Sequence, residues 1–236
     1  MAPLSLSLLL TLAAPALADD AETWTAAFFQ VAPTPGPTGP RIWTDLHMRR
    51  SAAGVVGLIR PGFGWQITPW ASVWAGYAWI PTAADDKPLS QEHRAWEQVI
   101  FQGRFDRLSM SGRLREEQRV HVGDPEVNHR LRVMPRFGVQ LAGPLSLQVW
   151  DELFLSFNRT EWFDVGGYDQ NRAFAGLSVD GFKGFRVEAG YLNIDLERGE
   201  ASANNHALAV NLFFNLGVKE RKKSSDEDSG PTEAVR

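Results

Sequence analysis

The sequence predicts an all-β protein, a transmembrane antiparallel β-barrel of about 10 to 12 strands, on three observations. Apolar and polar residues alternate with period two over segments of about eleven to fourteen residues. Short turns alternate with longer polar connections along the chain. Beyond the first eighteen residues there is no apolar run of the roughly 18 residues that a membrane helix requires.

Taken from the N-terminus, residues 4 to 17 are apolar with only Ser and Thr interspersed, and Ala16 and Ala18 bracket Leu17 before Asp19 and Asp20. That arrangement reads as a signal peptide spanning 1–18, with export from the cytoplasm as its consequence. Residues 19–216 form the barrel domain, and 217–236 form a charged tail. The tail has a basic run from Lys219 to Lys223 and an acidic run from Asp226 to Asp228, with too few apolar residues to offset the entropy of ordering it. The stretch Pro33 to Pro40 holds four prolines, which remove backbone donors, and is a loop.

Within the body, candidate strands fall at about 22–31, 41–50, 55–67, 70–80, 93–105, 109–122, 128–142, 145–158, 170–181, 184–196 and 204–216. The clearest is 128–142. One parity carries Asn128, Arg130, Arg132, Met134 and Arg136, and the other carries Leu131, Val133, Phe137, Val139 and Leu141. In 145–158 the apolar parity is interrupted by Asp151, which marks a bulge or an interfacial position. Tight connections occur at Thr68-Pro69, Asp106 to Ser109, Ala142 to Pro144 and Asp180 to Gly184. Longer ones span about 81–92, 123–127, 159–169 and 197–203. Counting from 41–50 gives ten strands, an even number that begins and ends on the turn side. The segment Trp24 to Val31 then either joins a twelfth strand hidden near it or lies apart from the ladder. Trp70, Trp79, Phe101, Phe105, Trp162 and Phe163 fall near strand ends, where interfacial girdles belong. A secreted β-sandwich also alternates, but its strands average five or six residues.

Composition narrows the chemistry. The 236 residues include no Cys, so thiolate metal sites, disulfides and a cysteine nucleophile are excluded. Lys and Arg total 24 against 28 acids, a balance that argues against nucleic acid as a partner. Nineteen of the basic residues are Arg. Parity turns many of them inward: Arg104, Arg113, Arg115, Glu117, Arg119, Arg130, Arg132, Arg136, Glu152, Arg172, Arg186 and Glu188 are the lumen candidates. Such a lumen is either a structural Arg–carboxylate network, with guanidinium forks pairing bidentately, or a basic wall selecting anions.

Catalysis rests on weaker signals. Five histidines (His47, His93, His121, His129 and His206) and several serines are present, but no nucleophile elbow and no spacing that forces a Ser–His contact. His121 and His129 flank a loop and have the reach to approach each other. The expectation is a non-enzyme, with an outer-membrane lipid or ester hydrolase and a soluble secreted sandwich as the alternatives. No metal, nucleotide or other cofactor motif is present.

The stretches Arg60 to Trp65 (RPGFGW), Trp74 to Trp79 (WAGYAW), Gly112 to Glu117 (GRLREE), Arg130 to Arg132, Trp150 to Phe154 (WDELF), Gln170 to Arg172 and Glu188 to Leu192 (EAGYL), in this order, resemble the domain-of-unknown-function family 2490. The likeness runs from about Trp43 to Phe214. It implies a bacterial, mostly Gram-negative outer-membrane barrel, with outer-membrane lipid, lipopolysaccharide and the outer-membrane assembly machinery as partners. It implies no activity.

Overall fold

The computed structural model describes residues 21–84, 87–181, 184–197 and 202–217. The segment 1–18 expected to be a signal peptide, and the expected tail beyond Gly217, lie outside these residues. Eleven strands follow in chain order: β1 Ala21–Ala32, β2 Gly39–Ser51, β3 Gly54–Thr68, β4 Ala71–Ala83, β5 Ser90–Phe105, β6 Leu108–His121, β7 Val127–Ala142, β8 Leu145–Ser156, β9 Gly167–Asp180, β10 Phe185–Glu197 and β11 Ser202–Gly217. Each pairs with the next in sequence, antiparallel, and β1 pairs with β11 to close the barrel.

The closure corrects the expected even count. The segment 22–31 has no hidden partner and does not lie apart; it is the eleventh stave, paired with β2 on one side and β11 on the other. In an up-and-down ring each strand reverses direction. An odd number therefore leaves the first and last strands pointing the same way, and the β1–β11 seam is parallel, with Ala21 opposite His206 and Ala32 opposite Gly217. Phe28 stacks on Phe213 and Phe29 on Phe214 across this seam, at 4.7 and 4.8 Å between ring centroids. Side-chain packing thus reinforces the less stable kind of ladder.

The two ends of the barrel differ. One end, the turn end, carries connections at 69–70, 106–107, 143–144 and 181–184 together with the proline-rich 33–38. Asp106 turns with φ 49° and Gly143 with φ 51°, the left-handed conformation that Asp and Gly tolerate best. The opposite, loop end carries 84–89, 122–126 and 157–166, the longer connections, besides the two-residue link at 52–53.

Period two separates two environments. Outside lie large apolar side chains, among them Ile42, Leu46, Phe63 at 58% exposure, Ile67, Val149, Leu177 and Val179. Inside, two apolar clusters coat opposite parts of the wall. Leu58, Trp74, Ala78, Ile80 and Trp96 form one; Phe174, Leu192, Ile194, Ala207 and Ala209 form the other. The first needs glycine. A Cβ at Gly62 or Gly76 would come within 2.5 or 2.4 Å of the Trp96 ring, and one at Gly64 within 2.3 Å of Trp74. The bare backbone there leaves room for the indoles inside a narrow barrel.

Asp151 is in register opposite Ala173, so it is not the bulge. The irregularity falls three residues on, between Phe154 and Leu155. Asp151 instead accepts a hydrogen bond from Asn171 Nδ2 (2.9 Å) in a belt of outward polar residues toward the loop end. That belt includes Glu97 bonded by Gln118 (3.0 Å), Glu116 bonded by His129 (2.9 Å), Asn193 with Asn204 (2.6 Å), and Tyr168 donating to Asp195 (2.5 Å). Trp162 and Phe163 are likewise not in an outer girdle. The 157–166 loop folds back, with a bridge between Thr160 and Phe163, and lays both rings near the Arg119 guanidinium at 5.1 and 4.3 Å, over the loop-end mouth.

Candidate functional site

The barrel interior gathers the inward parity of every strand into one polar column, and its chemistry follows from how arginines and carboxylates are shared. Glu117 on β6, 1% exposed, is the hub. Arg132 Nη1 donates to its Oε1 and Arg130 Nη2 to its Oε2, both at 2.6 Å, while Arg94 reaches it at 3.4 Å. Arg115 and Arg60 stand within 4.0 Å. Glu152 on β8 accepts from Arg132 Nε (2.9 Å) and Arg113 Nη2 (2.5 Å). Asp169, turned inward beside the β8–β9 irregularity, takes Arg130 Nη1 at 2.9 Å. Toward the loop end Glu92 holds Arg94 and Arg119, and toward the turn end Glu188 holds Arg136. Asp45 on β2 is gripped by both sides of the Arg60 fork and also accepts from Trp43 Nε1 at 2.9 Å. In a medium of low dielectric such charge-assisted bonds are strong, and an arginine without one is costly.

The predicted lumen residues come together here. Arg115, Glu117, Arg119, Arg130, Arg132, Glu152, Arg172 and Glu188 are buried inside the barrel. Arg113, Arg136 and Arg186 are partly covered, and Arg104 lines the exposed turn-end mouth. Sequence reasoning missed Asp45, Arg49, Arg60, Glu92, Arg94 and Asp169. On β2, β3 and β5 the inward parity mixes charges with Trp, Leu and Gly, so no run of like residues reveals it. For Asp169 the irregular pairing hides the parity altogether.

Two cavities divide the lumen. One, about 710 Å³, runs from the turn-end rim at Pro69, Arg104 and Asn215 to mid-barrel. The other, about 480 Å³, lies toward the loop end beneath Phe163. Trp24, Arg49, Arg132 and Arg172 line both, and so form a septum between them. The Arg49 and Arg172 guanidiniums sit 4.1 and 4.8 Å from the Trp24 ring centroid, within cation–π range.

The histidines scatter. His121 and His129 have opposite parity and do not meet. His129 faces outward to Glu116, whereas His121 faces inward, stacks on Trp162 at 5.8 Å and places Nε2 2.9 Å from Ser90 Oγ. This Ser–His contact is one the sequence spacing gave no sign of, because a 31-residue separation becomes adjacency only through the β5–β6 register. Among the described residues no carboxylate stands within ion-pair distance of His121. His93 and His206 each bond an outward tyrosine, Tyr77 and Tyr191.

The fold and interior define a closed eleven-stranded barrel with an ion-paired, arginine-rich lumen split by a septum. The chain belongs to the family described as protein of unknown function DUF2490, whose profile matches residues 21–205. It is similar to an uncharacterized protein of Methylorubrum extorquens, 33% identical over 162 residues, which cover 66% of this chain and 71% of the relative. No solved structure matches it.

Proposed function

We propose that this protein is a bacterial outer-membrane barrel, turns inward to the periplasm and long loops outward, whose lumen admits and binds small anions and passes them narrowly. The observation that carries this is the inversion of the usual surface: large apolar residues outside, and buried arginines such as Arg115, Arg130 and Arg132 within. A water-soluble fold does the opposite. Strands of 12 to 16 residues, tilted as in such barrels, rise about 30 to 40 Å, enough to exceed an apolar band of about 25 Å. The turn-end side of that band carries Trp65, Trp70 and Phe101. Its loop-end side carries Trp79, Tyr168 and Tyr191, whose polar tips bond Gln91, Asp195 and His206. The polar belt beyond them suits lipopolysaccharide headgroups. Anion preference follows from guanidiniums that outnumber the carboxylates facing them.

The test has two arms. A folded barrel changes its gel migration on boiling; unchanged migration together with a soluble cell fraction would refute the membrane reading. In planar bilayers under a salt gradient the reversal potential takes the sign set by anion permeation, and a cation-selective potential or no conductance would refute the anion pathway.

A second reading, an outer-membrane lipid or ester hydrolase, is favoured by one observation, the Ser90–His121 contact at 2.9 Å. It requires that S90A and H121A each abolish ester hydrolysis by the purified barrel.

A further inference from the structure

Nearly every deep cation of the lumen has an acid: Arg60 has Asp45, Arg113 has Glu152, Arg130 has Glu117 and Asp169, and Arg136 has Glu188. Arg49 and Arg172 do not: among the described residues neither stands within ion-pair distance of a carboxylate. Arg41 and Arg186, nearer the turn end, also lack one, but Arg41 donates to the Pro40 and Gly36 carbonyls and the Arg186 guanidinium lies 4.3 Å from the Phe213 ring centroid. Arg172 is 7% exposed and its one side-chain bond goes to the neutral Gln170 Oε1, at 3.0 Å. The Arg49 Nε is shielded from solvent and has no partner. Glu22, two residues from Trp24 on β1, is already occupied, accepting from Trp24 Nε1 and Asn205 Nδ2, both at 2.6 Å. Both guanidiniums converge on the Trp24 ring at the floor of the turn-end cavity.

We infer that this cavity is a binding site for an organic oxyanion, one carboxylate, sulfonate or phosphate group on a compact apolar body, with the charged end held between Arg49 and Arg172. Buried cations without a counter-charge are costly, and a bound anion removes that cost. The rest of the chamber sets the ligand's other end. Trp43, Leu58, Trp150, Leu192 and Phe213 line it, and about 710 Å³ is within the range of small-molecule sites. A bare inorganic anion would leave those walls wet. A ring-sized apolar group covers them and lies alongside Trp150, which is itself stacked on Phe174 at 5.1 Å. The loop-end cavity is a poorer choice because it is smaller, about 480 Å³; each lining includes two carboxylates, Glu22 and Asp169 there and Glu152 and Asp180 in the turn-end cavity. Entry is from the turn-end rim.

This inference deepens the anion reading above and rests on it for the direction of access. The test is calorimetric titration of the full-length barrel in neutral detergent with 2-naphthoate, 2-naphthalenemethanol and sodium sulfate. Naphthoate is expected to saturate at one per barrel, sulfate to compete at least tenfold more weakly, and the uncharged alcohol to show no saturable binding. R49Q/R172Q weakens naphthoate at least tenfold, R172K retains most of it, and R159Q, on the outer loop, leaves it unchanged. Equal binding of acid and alcohol, equal binding of sulfate and naphthoate, or an unaltered R49Q/R172Q variant would overturn the inference. If that variant does not fold, as read by heat modifiability, the comparison of the three probes on the unaltered protein decides. Absent naphthoate binding with anion-selective conductance intact sinks this site alone; cation-selective conductance with naphthoate binding intact sinks the pathway alone.

Discussion

Replacing Glu117 by Gln tests whether the lumen is held by ion pairs. The variant keeps the size of the side chain and one good acceptor, but removes the charge that Arg130 and Arg132 each meet at 2.6 Å and that Arg94 meets at 3.4 Å. It also turns an amide N–H toward guanidinium donors. A bond to a charged group contributes about 1.5–3 kcal/mol, and leaving a buried ionic group unpaired costs about 3–5 kcal/mol. Glu117 is 1% exposed, so solvent screening does not reduce these figures. Arg130 retains Asp169 and Arg132 retains Glu152, which holds the loss nearer the single-pair value than its double. We expect E117Q to lose about 3–5 kcal/mol, measured by urea unfolding in phospholipid vesicles with tryptophan fluorescence and linear extrapolation. E116Q, one residue away but on the outer face with side-chain exposure of 29%, is the control and changes stability by less than about 1 kcal/mol. A loss below about 1 kcal/mol for E117Q, or equal losses for the two variants, would refute the view that the Arg–carboxylate column stabilises the barrel.

Three further outcomes follow from the same geometry. V149R places a cation mid-strand on the outer apolar face of β8 and is expected to cost about 2–4 kcal/mol in vesicles; a change below about 0.5 kcal/mol would show that this face does not meet lipid. G76A drives a Cβ to 2.3 Å from the Pro61 carbonyl and 2.4 Å from Trp96, so a loss of about 1–3 kcal/mol is expected from overpacking. G112A, with nothing within 4 Å, tolerates the change, and equal unfolding midpoints for the two would sink the packing argument. W162A/F163A strips the rings from the loop-end mouth and is expected to raise single-channel conductance; unchanged conductance would mean that the 157–166 loop does not limit passage.

Much of the barrel was legible because its main signal is local. Alternation along 128–142 put Arg130, Arg132 and Arg136 on one face, and the structure keeps all three there. The inward arginines of β6 were found the same way. Asp45, Arg49 and Arg60 escaped because aromatic and glycine neighbours share their parity and blur the contrast. Those neighbours have their own reason for being there, since Trp74 and Trp96 fill the lumen over Gly62, Gly64 and Gly76. The reading of Trp162 and Phe163 as girdle residues failed for another reason: position near a strand end does not say whether a loop folds outward or over the mouth.

The sequence by itself determined which residues face in and which face out along the clearly alternating strands such as 128–142, and that arginine dominates the interior there, because side-chain direction in a regular strand depends only on the residue's place in a two-residue repeat. Tertiary structure decided the rest. Whether β1 joins the ring depends on closure, and an odd ring requires the parallel seam with β11. Which carboxylate meets which arginine depends on register summed across several strands, as when Arg130 and Asp169, 39 residues apart, come within 2.9 Å. The septum at Trp24, Arg49, Arg132 and Arg172 draws on four strands, three of them far apart in the chain. Two of its three guanidiniums, those of Arg49 and Arg172, lack acids because the ring, not the local pattern, sets what lies across the lumen.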